Sequence, residues 1–231
     1  MPAFATAKLV ASNAVKEALT QLLPRFERMS GHKVLASWGG TLDICARVAA
    51  GETFDIVILG AERIEELIAS GHLASGSRLD IARSGIAAAV PAGTPRPDIS
   101  SAAALQATLL AAQSIVLSSG PSSVYLAALF RQMGIADAIR SKVRQIGPGL
   151  AVAAALARRE GEIGFTQASE LLHADGIDYL GELSPDVQHV TVWSAALHVA
   201  APQPQAAGAL LAFLTAPEAA AEFARCGMQA A

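Results

Sequence analysis

The run Asp55-Ile56-Val57-Ile58-Leu59 constrains the fold more than any other segment. Its consecutive apolar residues leave an extended strand without a polar face, so both faces must be covered. Segments with helical spacing flank it, Leu42 to Ala50 before and Ile64, Leu67 and Ile68 after. Strands alternating with helices through short glycine-rich joints predict an α/β fold.

The alternation extends along the whole chain. Lys8 to Ala11 reads as a first strand, followed by a helix capped at Asn13 with an apolar stripe of Val15, Leu19, Leu22, Leu23 and Phe26. Pro24 is expected to kink or split that helix, and Gly31 to end it. Lys33 to Ser37, Ile86 to Val90, Ile115 to Leu117, Ile163 to Thr166, Ile177 to Leu180 and Val190 to Val199 read as further strands. Helices are expected around 102–112, from Ser122 onward, through 150–159, over Gln167 to His173, and over 205–214 and 217–225. Two α/β halves result, with the strands near 85–91 and 190–199 placed where the chain would cross between them. The expected division is 1–83 as the first part of lobe I, 84–199 as lobe II with the crossing strands, and 200–231 as helices returning to lobe I.

With 52% hydrophobic and 16% charged residues, the 231-residue chain has the composition of a globular protein. Its net charge of −3, without a basic stripe, argues against nucleic acid as a partner. No apolar run approaches the roughly 18 residues of a membrane span, so membrane insertion is not expected either. The start of the chain lacks the pattern of a secretory signal, which predicts a cytoplasmic protein as the chain is given and a periplasmic one if a signal segment was removed. Cys45 and Cys226 are expected to be unpaired thiols, and a monomer is expected.

Four joints share one make-up, a strand followed by small or hydroxyl residues and then a helix start. They are Ser12-Asn13, Gly39-Gly40-Thr41, Ser118 to Ser123, and Gly147-Pro148-Gly149. The first turn of a helix leaves backbone N–H groups unpaired, and the macrodipole adds partial positive charge there. Several such ends aimed at one point would bind an anion without lysine or arginine. Any one of them alone reads as an ordinary cap.

Familiar catalytic signatures are absent: there is no G-x-S-x-G, Walker A loop, G-x-G-x-x-G or H-E-x-x-H. The five histidines have no ligand spacing, and neither a metal nor a cofactor is expected. Asp43 falls in the first turn of its helix, where a carboxylate favours the dipole, and Arg47 one turn later is placed to pair with it. Asp55, at the head of a buried strand, reads as a structural carboxylate.

The chain resembles the molybdate-binding-protein-like family of type II periplasmic binding proteins. The resemblance runs through "LVASNAVKEAL", "FERMSGHKV", "SWGGTLDICARVAAGETFDIVIL", "GSRLDIARSGIAAAVPAG", "EIGFTQASELL" and "LLAFLTAPEAAAEFARCGM", in that order. It implies a two-lobed α/β fold with an anion held in the cleft between lobes by helix N-termini and hydroxyls. Carried over by position, the implied ligand contacts are Ser12 and Asn13, Gly40 and Thr41, the loop at Ser122 and Ser123, the backbone near Val152, and Gln167. Gln167 stands where molybdate binders place a tyrosine, and Gly39-Gly40-Thr41 where they show a serine run. Both departures argue against molybdate itself, and the amide of Gln167, a donor and an acceptor, suits a carboxylate better than a tetrahedral oxyanion. The segments "GFTQASELL" and "TVWSAAL" resemble a branch that includes aconitate-isomerase-like proteins.

The expected function is therefore binding of a small organic anion, with an ABC permease as a possible downstream partner. The alternative is a cofactor-independent isomerase shifting a proton on a small polycarboxylate in the same cleft. Binding is favoured over catalysis because no general base is identified.

Overall fold

The computed structural model describes residues 4–231. Its elements run β1 (Thr6–Ser12), a 3₁₀ turn (Asn13–Val15), α1 (Lys16–Ser30), β2 (Lys33–Gly39), α2 (Thr41–Ala49), β3 (Ile56–Gly60), α3 (Ala61–Ala69) and β4 (Leu79–Pro91). They continue with α4 (Ala102–Ala111), β5 (Ile115–Leu117), α5 (Pro121–Gln132), α6 (Ala136–Ile139), β6 (Val143–Gln145), α7 (Leu150–Ala157), β7 (Ile163–Gln167) and a second 3₁₀ turn (Ala168–Glu170). The chain closes with β8 (Ile177–Glu182), β9 (Val190–Leu197), α8 (Pro204–Leu214), α9 (Pro217–Arg225) and β10 (Gln229–Ala230).

The chain divides into two compact units. One comprises the residues up to Arg83 together with Val192–Ala231, and the other is Ser84–Thr191. Both divisions fall inside strands, β4 and β9.

In the first unit β3 is buried along its whole length, as its sequence demands. Ile56 and Ile58 face one cluster with Leu9, Leu19, Leu22 and Phe26, under α1, α8 and α9. Val57 and Leu59 face the other, with Ile44, Val48, Ile64 and Leu67 of α2 and α3. Burying a branched aliphatic side chain contributes about 1.5–3 kcal/mol, so this alternation anchors both layers at once. β2, β1 and β3 are parallel neighbours in that order, and β9 pairs antiparallel with β3. Asp55 is buried and accepts from the Lys8 and Gln203 backbone N–H groups, 2.7 and 2.5 Å away, which is the structural role expected of it.

Two expectations need correction here. Pro24 lies inside an unbroken α1, because Leu22, Leu23 and Phe26 on either side are anchored in the core. Asn13 does not cap α1: it opens the 3₁₀ turn, which Ser12 caps, and α1 itself follows Val15 with no side-chain cap. Gly31 does end α1, at φ 75°, and its N–H reaches Glu27 O.

The second unit has β5 between β6 and β7, all parallel, with β4 antiparallel to β7 and to β8. Phe165, Leu117 and Ile115 pack beneath α4, α5 and α6. Val116, Ala87 and Ala89 face Val152 and Leu156 of α7 on the other side. The helix expected over 167–173 is only a 3₁₀ turn. Gln167 still belongs to β7, and the chain folds back at Ala168.

Among the described residues no single helix is long and apolar enough to cross a membrane.

Candidate functional site

In the first unit three parallel strands end at one edge. Ser12 is the register partner of Gly39, and Ala11 that of Ile58, so the ends of β1, β2 and β3 lie side by side. Each strand leads directly into a helical turn. Ser12 Oγ accepts from the Ala14 N–H at 3.3 Å, so this hydroxyl already serves as a cap. The next two turns differ. Gly40 and Gly60 are the N-caps of α2 and α3, and neither has a side chain with which to satisfy the first turn. Thr41, the first residue of α2, is 8% exposed.

Gly39 has a steric reason to be glycine. A Cβ there would lie 2.8 Å from Asp43 Oδ2 and 3.1 Å from Ile44 Cγ1. Asp43 itself is 62% exposed and 3.9 Å from Arg47 Nη1. The expected Asp43–Arg47 pairing is thus loose, because Arg47 forks onto Glu52 with both bonds at 2.7 Å.

The second unit repeats the plan with different wiring. β5, β6 and β7 end together, with Leu117 opposite both Gln145 and Phe165. The loop after β5 is braced internally. Ser118 and Ser122 hydroxyls lie 3.0 Å apart, and Ser123 Oγ donates to Gly120 O at 2.8 Å. Gln145 Nε2 donates to Ser118 O and Ser123 Oγ at 3.1 and 3.0 Å. The Ser119 N–H reaches Gly147 O at 3.0 Å, which ties this loop to the one ahead of α7. Gly120 caps α5 without a side chain, and Pro121 follows where a missing N–H costs nothing.

At α7 the backbone expectation needs adjustment. The Val152 N–H already donates to Gly149 O at 2.9 Å, tightening the first turn in 3₁₀ fashion, and its side chain is fully buried. A ligand would have to displace that bond to use this donor.

Gln167, the last residue of β7, is 2% exposed. Its Nε2 lies 3.0 Å from Thr191 Oγ1, while Oε1 is buried without a partner. A threonine hydroxyl both donates and accepts, so rotating the amide by half a turn preserves this bond and frees the N–H₂ instead. Ser169 Oγ, two residues on, is likewise buried without a partner.

Sequence reasoning missed the residue beside them. Glu170 is 7% exposed, and its Oε2 accepts from Thr166 Oγ1 at 2.6 Å. Its carboxylate is pressed against Gly149, the N-cap of α7, where a Cβ would collide with it. Burial pushes its pKa up to about 7, against weaker opposing pulls from Thr166 and the Gln167 backbone. One signal was available, an isolated acid within the small and apolar "FTQASELL". A helix expected over Gln167 to His173 singled out no role for it, and in the 3₁₀ turn that forms instead it is buried.

The structure therefore brings Ser12, Asn13, Gly40 and Thr41 to the strand-end edge of one unit. It brings Ser122, Ser123, Val152 and Gln167 to the corresponding edge of the other. No group of three or more His, Cys, Asp or Glu able to hold a metal occurs among the described residues.

Residues 7–229 match the family of bacterial extracellular solute-binding proteins. Aconitate isomerase from Pseudomonas sp. is 35% identical over 230 residues, covering 97% of this chain and 87% of that protein. Among solved structures, the periplasmic molybdate-binding protein of Azotobacter vinelandii superposes with a TM-score of 0.82 at 18% identity, over 96% of this chain and 98% of that one. The sulfate-binding protein of Mycobacterium tuberculosis gives a TM-score of 0.82 at 18% identity, over 98% of this chain and 87% of the other. The chain belongs to the bacterial extracellular solute-binding proteins, is a relative of aconitate isomerase, and has the type II periplasmic-binding-protein fold.

Proposed function

We propose that the chain binds a small polycarboxylate through helix N-termini. The observation that carries this reading is the set of glycine N-caps at strand ends, Gly40, Gly60 and Gly120, none of which closes its helix with a side chain. First-turn N–H groups held this way favour an anion by charge and by geometry. Gln167 supports a carboxylate in particular. Its amide is anchored at one end by Thr191 and unpartnered at the other, so it offers a planar hydrogen-bonding group to a planar ligand group.

A thermal-shift screen tests the reading. A ligand at one hundred times its Kd adds about 2.7 kcal/mol of stability, a shift of several degrees in the midpoint. Tricarboxylates such as trans-aconitate and citrate are expected to raise the midpoint, and molybdate and sulfate to leave it unchanged. Shifts by the oxyanions alone would overturn the carboxylate assignment.

A second reading, that the bound polycarboxylate is also isomerised, is favoured by the identity with aconitate isomerase and by the buried acid Glu170 at the same strand-end edge as Gln167. A 1,3-proton shift requires a base near the allylic carbon and donors for the charge that develops on the carboxylates. Helix N-termini supply such donors. As a receptor alone, the chain would instead hand its anion to an ABC permease. Proton NMR of trans-aconitate incubated with the protein separates the two, since only the isomerase converts it to the cis isomer.

A further inference from the structure

Three acids are buried among the described residues, and two have their charge fully answered. Asp55 accepts two backbone N–H groups. Glu222 is paired with Arg25 at 2.8 Å and with Arg225 at 2.9 Å. Glu170 is different. Its hydrogen bonds come from the Thr166 hydroxyl and the Gln167 backbone, and no lysine, arginine or second carboxylate contributes to its titration.

A buried carboxylate without a cation is costly to keep, and nothing in the packing of this unit calls for one. Its position does suggest a use. It follows Gln167 by three residues, abuts the N-cap of α7, and shares its turn with the unpartnered Ser169 hydroxyl. The same turn therefore presents two unpartnered polar atoms, both nine-tenths buried, beside a lone acid at a helix N-terminus.

We propose that Glu170 is the group that carries the proton in a 1,3 shift on a bound unsaturated polycarboxylate, with Thr166 holding its carboxylate in place. This rests on the isomerase reading above. The Glu170 carboxylate takes a proton from the allylic methylene, and the C–H electron pair becomes part of a new double bond. The former π pair moves to the far alkene carbon, which receives the proton back from Glu170. One C–H bond breaks, one forms, the double bond moves by one position, and the carboxylate is regenerated without an oxidant or co-reactant. A group titrating near neutrality suits both halves of that cycle, because it can accept and return a proton with little penalty either way.

The test compares wild type, Glu170→Gln, Glu170→Asp and Thr166→Val, with turnover of trans-aconitate followed by proton NMR and its binding by calorimetry. Glu170→Gln is expected to lower kcat by about 10²- to 10⁴-fold while binding changes by less than about 3-fold. Glu170→Asp, which keeps the acid on a shorter arm, is expected to restore part of the rate. Thr166→Val removes the hydrogen bond that stabilises the ionised form, and is expected to move the acidic limb of the kcat profile, where activity is lost as Glu170 is protonated, to higher pH. Wild-type turnover in Glu170→Gln would overturn the assignment and leave the isomerase reading intact. If Glu170→Gln does not fold, an unmoved limb in Thr166→Val would overturn it as well. A wild-type protein that binds trans-aconitate but neither converts it nor exchanges its methylene protons with deuterium would remove the isomerase reading itself, and the role of Glu170 with it.

Discussion

The two strand-end edges follow one plan and differ in what they bury. In the first unit two of the three joints end in glycine caps, Gly40 and Gly60, and the nearby acid, Asp43, is exposed to solvent. In the second unit the loops are stitched together by Ser118, Ser122, Ser123 and Gln145, and an acid lies beneath the helix start. An edge built of bare donors can hold an anion but has no means of moving a proton. An edge with a buried, uncompensated carboxyl can exchange one. On the proposed function, each edge could hold an anion, and only the second carries an acid able to move a proton.

The sharpest way to break that contrast is the same substitution at both edges. Gly149→Ala places a methyl group where the Glu170 carboxylate lies, in a buried setting with little room to yield. We expect a loss of about 1–3 kcal/mol in stability from overpacking, together with loss of any turnover as the carboxyl is displaced. Gly39→Ala meets Asp43 Oδ2 at 2.8 Å, the end of an exposed side chain that can swing away, and Ile44 at 3.1 Å. Its cost should stay near 1 kcal/mol. Urea denaturation of the two variants measures both, and equal costs would mean that Glu170 is not rigidly held.

A comparable effect is expected from pH. Glu170 titrates at about 7 in the folded chain, against 4.5 for an unburied glutamate. Folding favours its protonated form, so its stabilising contribution is complete below pH 4.5 and is lost as pH rises through about 7. The amount lost is at most about 3 kcal/mol, at roughly 1.4 kcal/mol for each pH unit between the folded and unfolded values. Wild type should therefore lose stability relative to Glu170→Gln between pH 4.5 and pH 8. Parallel stability curves would show that water reaches the carboxyl freely.

These contrasts also show where the sequence was legible. The burial of β3 on both faces followed from "DIVIL", because an all-apolar strand leaves no polar face for solvent. The joints were legible because glycine and serine before a helical stripe have local causes. What escaped had non-local causes. Pro24 is tolerated because the residues around it are fixed in a core formed by distant elements. The three-residue β6 carries no periodicity of its own and exists only through its pairing with β5. Glu170 went unnoticed because its burial comes from the 3₁₀ turn and from contact with the start of α7, neither of which the sequence around it announces. The clue that would have revealed it, Gly149, lies 21 residues away and makes sense only in contact with the carboxylate.

In the first unit the expected effects are smaller and concern binding. Thr41→Val keeps the shape of a mostly buried residue and removes its hydroxyl. The fold should survive, and polycarboxylate affinity should fall about 10-fold or more, the worth of one hydrogen bond to a charged group. Unchanged affinity would leave the donors of this edge to its backbone.

Asp43→Asn is the smallest effect and the most informative about charge. An ionised Asp43 in the first turn of α2 complements the helix dipole, which is worth about 0.3–1 kcal/mol at an exposed site. The same negative charge opposes any anion bound at that helix start. The substitution should therefore lower stability by a few tenths of a kcal/mol while raising affinity for a trianion more than for a dianion. Both changes should shrink with added salt, because Asp43 is exposed and its field is screened within about 10 Å at 0.1 M ionic strength. Calorimetric titration of citrate and succinate at two salt concentrations reads the difference. An affinity that ignores both the substitution and the salt would place the anion beyond the reach of α2, and would leave the second unit to hold it alone.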